Sequence, residues 1–217
     1  MSLEKNHDTT KDRILNEAEA LFAQKGFHGV TVREITEAAN CNLAAVNYHF
    51  GNKWNLYLAV FQFRWLPRAR RMRKSVIKEL EKHESPSRTE VVKALSQAFL
   101  KGPLADDERT QHSLLIIREL AEPTEAFELV AEEALRPLFS VIADHLRPVM
   151  PPEMGEERLN FNIFSIFAMV TYFNLARAAV TNITGQEYDQ DFKTMLVEHI
   201  ANFSLKGLNA CEEGPLL

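Results

Sequence analysis

The apolar residues of this chain recur at the helical period of about 3.6 residues. In the first predicted helix, from about Thr10 to Lys25, the residues Ile14, Leu15, Ala18, Leu21 and Phe22 fall on one face. Gly26 is well placed to end this helix. Alternation of apolar and polar residues, the signature of a half-buried strand, does not extend over a useful length. The pattern therefore predicts an all-α protein.

Capping residues predict where the next two helices begin. Thr31 and Glu34 form the pattern of a capping box, in which each side chain bonds the backbone N–H of the other residue. Asn40 tolerates the left-handed backbone of a tight turn, and Asn42 can cap a short helix from Leu43 to about His49. Two helices joined by such a turn inside a three-helix unit predict a helix-turn-helix.

The remainder of the chain continues as helix upon helix. After Gly51-Asn52 a fourth helix begins near Lys53, and a further series follows Pro67, with Pro137 expected to bend one member. The predicted ranges are 68–83, 87–101, 107–121, 124–148, 157–182 and 189–207. We expect loose ends over the first seven residues and after Gly207. The predicted domains are residues 8–55, which contain the helix-turn-helix, and residues 56–210, which form a second helical domain.

Charge is distributed unevenly along the 217 residues. The formal net charge is −5, yet residues 51–101 hold 12 Lys/Arg against 4 Asp/Glu, and residues 102–217 hold 8 against 19. This asymmetry fits a molecule with one anion-facing end and one acidic, solvated end. The basic run Arg68–Lys74 has two interpretations: it faces an anion, or it is a solvated helix face.

Several classes of protein find no support in the residues. The most apolar stretch, Phe161–Val170, is interrupted by polar residues and is too short to span a membrane. The start has no apolar signal region, and Cys41 with Cys211 makes a poor disulfide framework, so we expect a cytoplasmic protein. We expect no metal and no cofactor. Ser113 beside His112 has no third catalytic partner, and we expect no enzymatic activity.

The short helix from Leu43 has the composition of a helix that enters the DNA major groove. Val46 and Phe50 form an inward pair, and the small Ala44 and Ala45 allow close backbone approach. Asn47 lies on the outer face of this helix and can pair with the edge of an adenine. Further side chains can donate to phosphates: Thr31, Tyr48, His49 and Lys53.

The residues of these first helices resemble a known family. The runs Thr10-Lys-Asp-Arg-Ile-Leu-Asn-Glu-Ala, Lys25-Gly-Phe, Thr31-Val-Arg-Glu-Ile and Tyr48-His-Phe-Gly-Asn-Lys resemble, in order and spacing, the N-terminal domain of the TetR family over about residues 10–58. The segment AAVNYHF is similar to a branch that includes regulators of drug-efflux and antibiotic-sensitivity genes. The resemblance implies that a defined set of residues lies at the DNA surface: Thr31, Arg33, Asn42, Leu43, Ala44, Asn47, Tyr48, His49 and Lys53.

Three of these positions keep an alternative. Leu43 stands where many members have a polar or basic residue, and it can either contact a thymine methyl or pack inward with Val46. Tyr48 can instead belong to the core, and His49 can be an ordinary surface histidine. Asn47 replaces a commonly aromatic residue, so the base preference of this chain does not follow from the family.

The last two predicted helices, 157–182 and 189–207, have more apolar surface than one core needs. We expect them to form a four-helix dimer interface, as the resemblance also implies, through Phe164, Leu175, Phe192, Leu196, Ile200 and Phe203. The alternative is that both helices are buried within a monomer. The resemblance places an effector pocket before this interface, with His112, Leu115, Ile116, Arg118, Glu119, Phe127, Phe139, Phe167, Met169 and Tyr172 as candidates.

The resemblance implies a homodimeric repressor, the commonest mode of the family, that a small apolar or aromatic effector releases from double-stranded operator DNA. The competing hypothesis is a DNA-bound adaptor whose C-terminal domain recruits a protein and senses no small molecule.

Overall fold

The computed structural model describes residues 10–209, which are helical and contain no β-strand. The helices are α1 (Thr10–Lys25), α2 (Val32–Ala38), α3 (Leu43–Phe50), α4 (Lys53–Val60), α5 (Leu66–Leu80), α6 (Arg88–Leu100), α7 (Asp106–Ala121), α8 (Glu125–Val130), α9 (Arg136–Leu146), α10 (Glu156–Leu175), α11 (Arg177–Thr184) and α12 (Gln190–Asn209). The all-α expectation is confirmed. The predicted loose arm over residues 1–7 and the chain from 210 onward, with Cys211, lie outside the described residues.

The first three helices form the predicted helix-turn-helix, and the local signals explain their ends. The Thr31 hydroxyl accepts from the Glu34 N–H at 3.2 Å, and the Glu34 carboxylate accepts from the Thr31 N–H at 2.7 Å. Asn40 has a φ of 48° in the turn, and the Asn42 side chain accepts from the N–H of Ala45 at 3.0 Å. The turn and both caps therefore lie where the sequence predicts them.

Two prolines sit inside long helices, each preceded by a widened turn. Pro67 follows the π-helical stretch Phe61–Trp65, and Pro137 follows a second one, Ala131–Leu135. A proline ring clashes with the carbonyl four residues earlier, and in both cases that carbonyl lies within the π-helical stretch. The helix that begins at Lys53 therefore continues to Leu80. The sequence predicts a break at Pro67 instead.

The C-terminal helices pack around α6, which contacts α5, α10 and α12. Its inward residues are almost fully buried and include Val92, Leu95 and Leu100. Helices α7 and α8 also belong to the core of the N-terminal helices, because Leu115 of α7 and Val130 of α8 are buried in that cluster. The N-terminal and C-terminal helices therefore share core residues.

The single helix predicted over 157–182 is wrong. The chain bends by 73° between α10 and α11. The carbonyl of Phe173, which would accept from the N–H of Arg177 in a continuous helix, accepts instead from the Tyr188 hydroxyl at 2.7 Å. Within residues 10–209 no single helix is long and apolar enough to cross a membrane, although α10 and α11 together meet the length and composition requirement.

The predicted dimer residues divide into two groups. Phe192, Leu196 and Ile200 are buried in the core of one chain, at 6%, 6% and 0% exposure, so their assignment to a dimer interface is corrected. They face α6, because α12 packs its inner side against that helix. Exposed apolar residues remain on the outer sides of α10 and α12: Phe161, Phe164, Tyr172, Leu175, Met195 and Phe203.

Candidate DNA interface and ligand cavity

Helix α3 has one buried and one exposed face. Val46 and Phe50 are 0% and 8% exposed, whereas Leu43 is 55% and Tyr48 is 85% exposed. Asn47 lies on the same outer face. The inward alternative for Leu43 and the core alternative for Tyr48 are therefore wrong. The outer face is free to approach the base edges of a major groove.

The residues that flank this face are more constrained than the sequence suggests. The Asn42 side-chain oxygen caps α3, and the guanidinium of Arg33 donates to Glu37 at 2.8 Å. The ammonium of Lys53 lies 4.3 Å from the ring centroid of Phe27. Ala44 is exposed and His49 is half-buried. Each of the polar side chains Arg33, Asn42 and Lys53 therefore has a partner within the chain.

Thr31, at the start of α2, stands in a small charged cluster. Its hydroxyl donates to the Glu34 carboxylate at 2.9 Å, and Lys25 donates to the same carboxylate at 2.8 Å. The hydrogen bond from Lys25, followed by those from Thr31, lowers the pKa of Glu34 to about 2. The cluster holds the end of α1 against the start of α2.

Three arginines of the basic run Arg68–Lys74 are paired with carboxylates from other parts of the chain. The guanidinium of Arg68 is buried between Glu19 of α1 and Glu108 of α7, and it donates to both carboxylates. Arg71 donates to Glu108 at 2.8 Å, and Arg70 donates to Glu133. These pairs connect α5 to α1, α7 and the segment before α9.

Two residues at the end of α7 bind the N-terminal helices. The guanidinium of Arg118 donates to the carbonyls of Ala23 and Gln24, at the end of α1, at 3.1 and 2.7 Å. The buried carboxylate of Glu119 accepts from the Tyr57 hydroxyl at 2.6 Å. Both are corrections, because the sequence analysis places Arg118 and Glu119 among effector candidates. Their bonds join the two parts of the molecule.

Two neighbouring spaces lie beside α7. The inner cavity, of about 40 Å³, is enclosed mainly by α5, α6, α7, α9 and α10. An apolar groove of about 280 Å³ adjoins it between α7, α9 and α10. Four residues line both spaces: Ile116, Leu135, Phe167 and Thr171.

The effector candidates are partly brought together. His112, Ile116 and Phe167 line the inner cavity, and Phe139 and Tyr172 line the groove. Besides Arg118 and Glu119, three candidates line neither space and are corrected: Leu115 is buried against the N-terminal helices, Met169 packs on the C-terminal core, and Phe127 is half-buried on α8. The groove also contains Phe164 and Leu175, which the sequence analysis assigns to the dimer interface.

Several cavity residues escape the sequence analysis. They include Trp65, Arg109, Thr171 and Asn174. Helical spacing offers a signal for some of them, because Arg109 lies three residues before His112 and Thr171 lies four residues after Phe167. Trp65 offers no such signal, since it approaches from a different helix and stacks on the His112 ring at 4.2 Å.

The cavity walls contain polar groups without partners. The Nε of Arg109, the Nδ1 of His112 and the hydroxyl of Thr171 are buried and make no hydrogen bond. Burial, together with the positive charges of Arg68 and Arg71, lowers the pKa of His112 to about 3. The His112 ring is therefore neutral at pH 7. Within residues 10–209 no group of three or more His, Cys, Asp or Glu residues could hold a metal ion.

Comparisons with known proteins agree with this architecture. Residues 14–60 match the family of bacterial regulatory proteins named after tetR, and residues 89–208 match the C-terminal domain of the HTH-type transcriptional dual regulator CecR. The dual regulator CecR of Shigella flexneri is 26% identical over 194 residues, which cover 88% of this chain and 86% of that protein.

Solved structures show the same fold. A TetR-like transcriptional regulator from Rhodococcus sp. RHA1 has a TM-score of 0.65 at 15% identity, over 93% of this chain and 97% of that one. The fatty acid degradation regulator FadR from Bacillus halodurans has a TM-score of 0.62 at 19% identity, over 94% and 97%. The proteins that this chain resembles are transcriptional regulators rather than enzymes. The chain belongs to the TetR family of DNA-binding transcriptional regulators, with a C-terminal domain of the CecR type.

Proposed function

We propose that this regulator is a homodimeric repressor, that it works in the cytoplasm, and that a small apolar or aromatic effector releases it from operator DNA. The observation that supports DNA reading most directly is the outer face of α3, where Leu43, Asn47 and Tyr48 are exposed beside the buried Val46. In a dimer two such helices would lie about one DNA turn apart, on the half-sites of a near-palindrome.

The outer sides of α10 and α12 support the dimer. Phe161 and Phe164 are 61% and 57% exposed on α10, and Met195 and Phe203 are 54% and 62% exposed on α12. An exposed apolar patch formed by two long helices is typical of a subunit interface. A second copy that presents the same patch would cover all four side chains.

The inner cavity and groove support the effector. They adjoin α7, whose far end holds α1 through Arg118. An effector that prefers a different position of α7 shifts the population away from the DNA-bound form. A hundredfold loss of operator affinity needs about 2.7 kcal/mol of such preference, since each tenfold step is about 1.4 kcal/mol.

The first experiment measures binding of the purified protein to the intergenic DNA beside its own gene, at two salt concentrations. We expect protection of a near-palindrome and an affinity that falls as salt rises. Asn47→Ala should lose selectivity for that sequence, because Asn47 is the outer polar residue of α3. Asn160→Ala, an exposed asparagine on α10, is the matched control. Equal selectivity in the two variants would refute the role of α3.

The direction of regulation needs its own measurement. A reporter fused to the protected DNA should become more active when the gene of the regulator is deleted. A fall in reporter activity would refute repression and leave DNA binding intact.

A further inference from the structure

Unpaired buried polar atoms are concentrated around the inner cavity. In the part of the chain that the structure describes, four buried side-chain polar atoms lack a hydrogen-bond partner, and three of them belong to inner-cavity residues: Arg109, His112 and Thr171. The fourth, in Ser204 on α12, lies away from both spaces. Each unpaired buried group destabilises a fold by about 1–3 kcal/mol. A ligand that pairs with the three groups would remove this penalty.

The Arg109 guanidinium is held in place by its other nitrogens. These donate to the carbonyls of Phe99 and Leu104 at 2.6 and 2.5 Å, which closes the loop between α6 and α7. The Nε–H is 3.9 Å from the carboxylate of Asp106, beyond hydrogen-bonding distance. This donor is therefore already oriented and remains available for an acceptor.

The charges around the inner cavity favour an anion. Asp106 lies within 4.0 Å of three cations, Arg109, Arg177 and Lys193. The charges of Arg68 and Arg71 act on His112; these two arginines share Glu108, and Arg68 also pairs with Glu19. Five cations thus stand against three carboxylates. An excess positive charge beside a buried space attracts a negatively charged group.

The other two unpaired groups can donate as well. The neutral His112 ring has one N–H, whose position depends on the tautomer, and the Thr171 hydroxyl can rotate its proton. Three donors that line one cavity suit a compact group with several acceptor atoms. A carboxylate has two oxygens and about four lone-pair sites.

The groove beside the inner cavity is apolar. The groove is lined by the aromatic rings of Phe139, Phe164, Phe167 and Tyr172. The ring of Phe139 packs against those of Phe164 and Phe167 at 4.5 and 5.5 Å. An open cleft along α11 also adjoins the inner cavity, but its walls include the charged Arg177 and Glu187, among other polar residues. The groove is the side that fits an apolar body.

We infer that the inner cavity and the groove form one site for an amphipathic monoanion, with a carboxylate at Arg109, His112 and Thr171 and an apolar body along the groove. This inference rests on the proposed function, because it names the chemical class of the effector. The inner cavity must widen to admit the carboxylate. The ligand would lie against Ile116 and Phe167, which line both spaces.

The test uses octanoate and 4-phenylbutyrate as probes, with octanamide and octylamine as the neutral and cationic counterparts of octanoate. Binding to the full chain is measured by isothermal titration calorimetry, and stability by thermal unfolding. We expect the two carboxylates to bind, octanamide to bind at least tenfold more weakly and octylamine not to bind. Equal or tighter binding of the amide or the amine would overturn the carboxylate assignment.

Thr171→Val is the informative variant, because it removes only the unpaired hydroxyl and keeps the side-chain shape. Arg109 is a poorer choice, since it holds the loop between α6 and α7. We expect Thr171→Val to leave Tm unchanged or higher and to weaken octanoate binding about tenfold, the equivalent of one charge-assisted hydrogen bond. Ser204→Ala removes an unpaired hydroxyl elsewhere and should leave octanoate binding unchanged. Equal octanoate affinity in the two variants would overturn the site.

Operator binding by the same protein, without carboxylate, separates the two proposals. If the protein binds its operator and neither carboxylate binds, the ligand inference is wrong and DNA reading stands. If octanoate binds and no operator is found, the site stands and the proposed function fails.

Discussion

The buried imidazole of His112 makes the stability of the fold depend on pH in a defined direction. Burial, with the nearby Arg68 and Arg71, lowers its pKa from 6.5 to about 3. Between these values the unfolded chain holds one more proton at this residue than the folded chain does. Stability therefore falls as pH falls below 6.5, by about 1.4 kcal/mol for each pH unit. From pH 6.5 to pH 5 the loss from this residue is about 2 kcal/mol.

The perturbation that isolates this effect is His112→Phe. A phenyl ring can keep the stacking on Trp65, which lies parallel to the imidazole at 4.2 Å, and it cannot be protonated. We expect the variant to lose about 2 kcal/mol less than the wild type between pH 7 and pH 5. The range stops at pH 5 because carboxylates ordinarily titrate below that value.

Urea unfolding at pH 7, 6 and 5, followed by circular dichroism, measures this difference. His28→Phe, which changes an exposed histidine in the same way, is the control for the added ring. The reasoning would be refuted if wild type and His112→Phe lost the same free energy of unfolding over this range. That result would mean that the folded protein protonates His112, either because the cavity admits water or because the ring leaves it.

Three further substitutions test the contacts that join the helices. Arg68→Met should destabilise the fold by about 3–5 kcal/mol in urea, because it leaves the buried carboxylate of Glu19 without its cation, and adding Glu19→Leu should recover most of that loss. Tyr57→Phe should lower the free energy of unfolding by about 1.5–3 kcal/mol, since it removes the 2.6 Å hydrogen bond to Glu119; an unchanged value would show that water satisfies this carboxylate. Phe164→Glu should shift the protein from dimer to monomer in sedimentation velocity, with the helical circular dichroism spectrum intact, and an unchanged dimer would move the interface away from α10.

The helix ends of the N-terminal domain follow from local chemistry, and the sequence predicts them well. The capping box at Thr31, the left-handed Asn40 and the cap at Asn42 are each local signals, and each cap reaches only three residues along the chain. The exposed face of α3 follows in the same way from the period of Val46 and Phe50.

The C-terminal domain depends on contacts between distant residues, which periodicity does not report. The bend after Leu175 reflects the Tyr188 hydroxyl, 15 residues beyond the carbonyl that it binds. Helix α12 has apolar residues on two sides, and the sequence does not distinguish the inner Phe192 from the outer Phe203. The enclosed cavity depends on five helices whose relative positions only the folded chain defines.

The 16 residues of α7 span about 24 Å, and they bind two different neighbours. Towards one end Arg109 and His112 border the cavity, and at the other Arg118 grips the last carbonyls of α1. A Cβ on residue 26 would lie 3.0 Å from the Arg118 side chain, and Gly26 has a φ of 75°. A side chain at Gly26 would therefore be strained by this φ and would crowd the Arg118 guanidinium, which holds α7 against the end of α1. A movement of α7 that a ligand drives must therefore either move α1 with it or break the hydrogen bonds from Arg118.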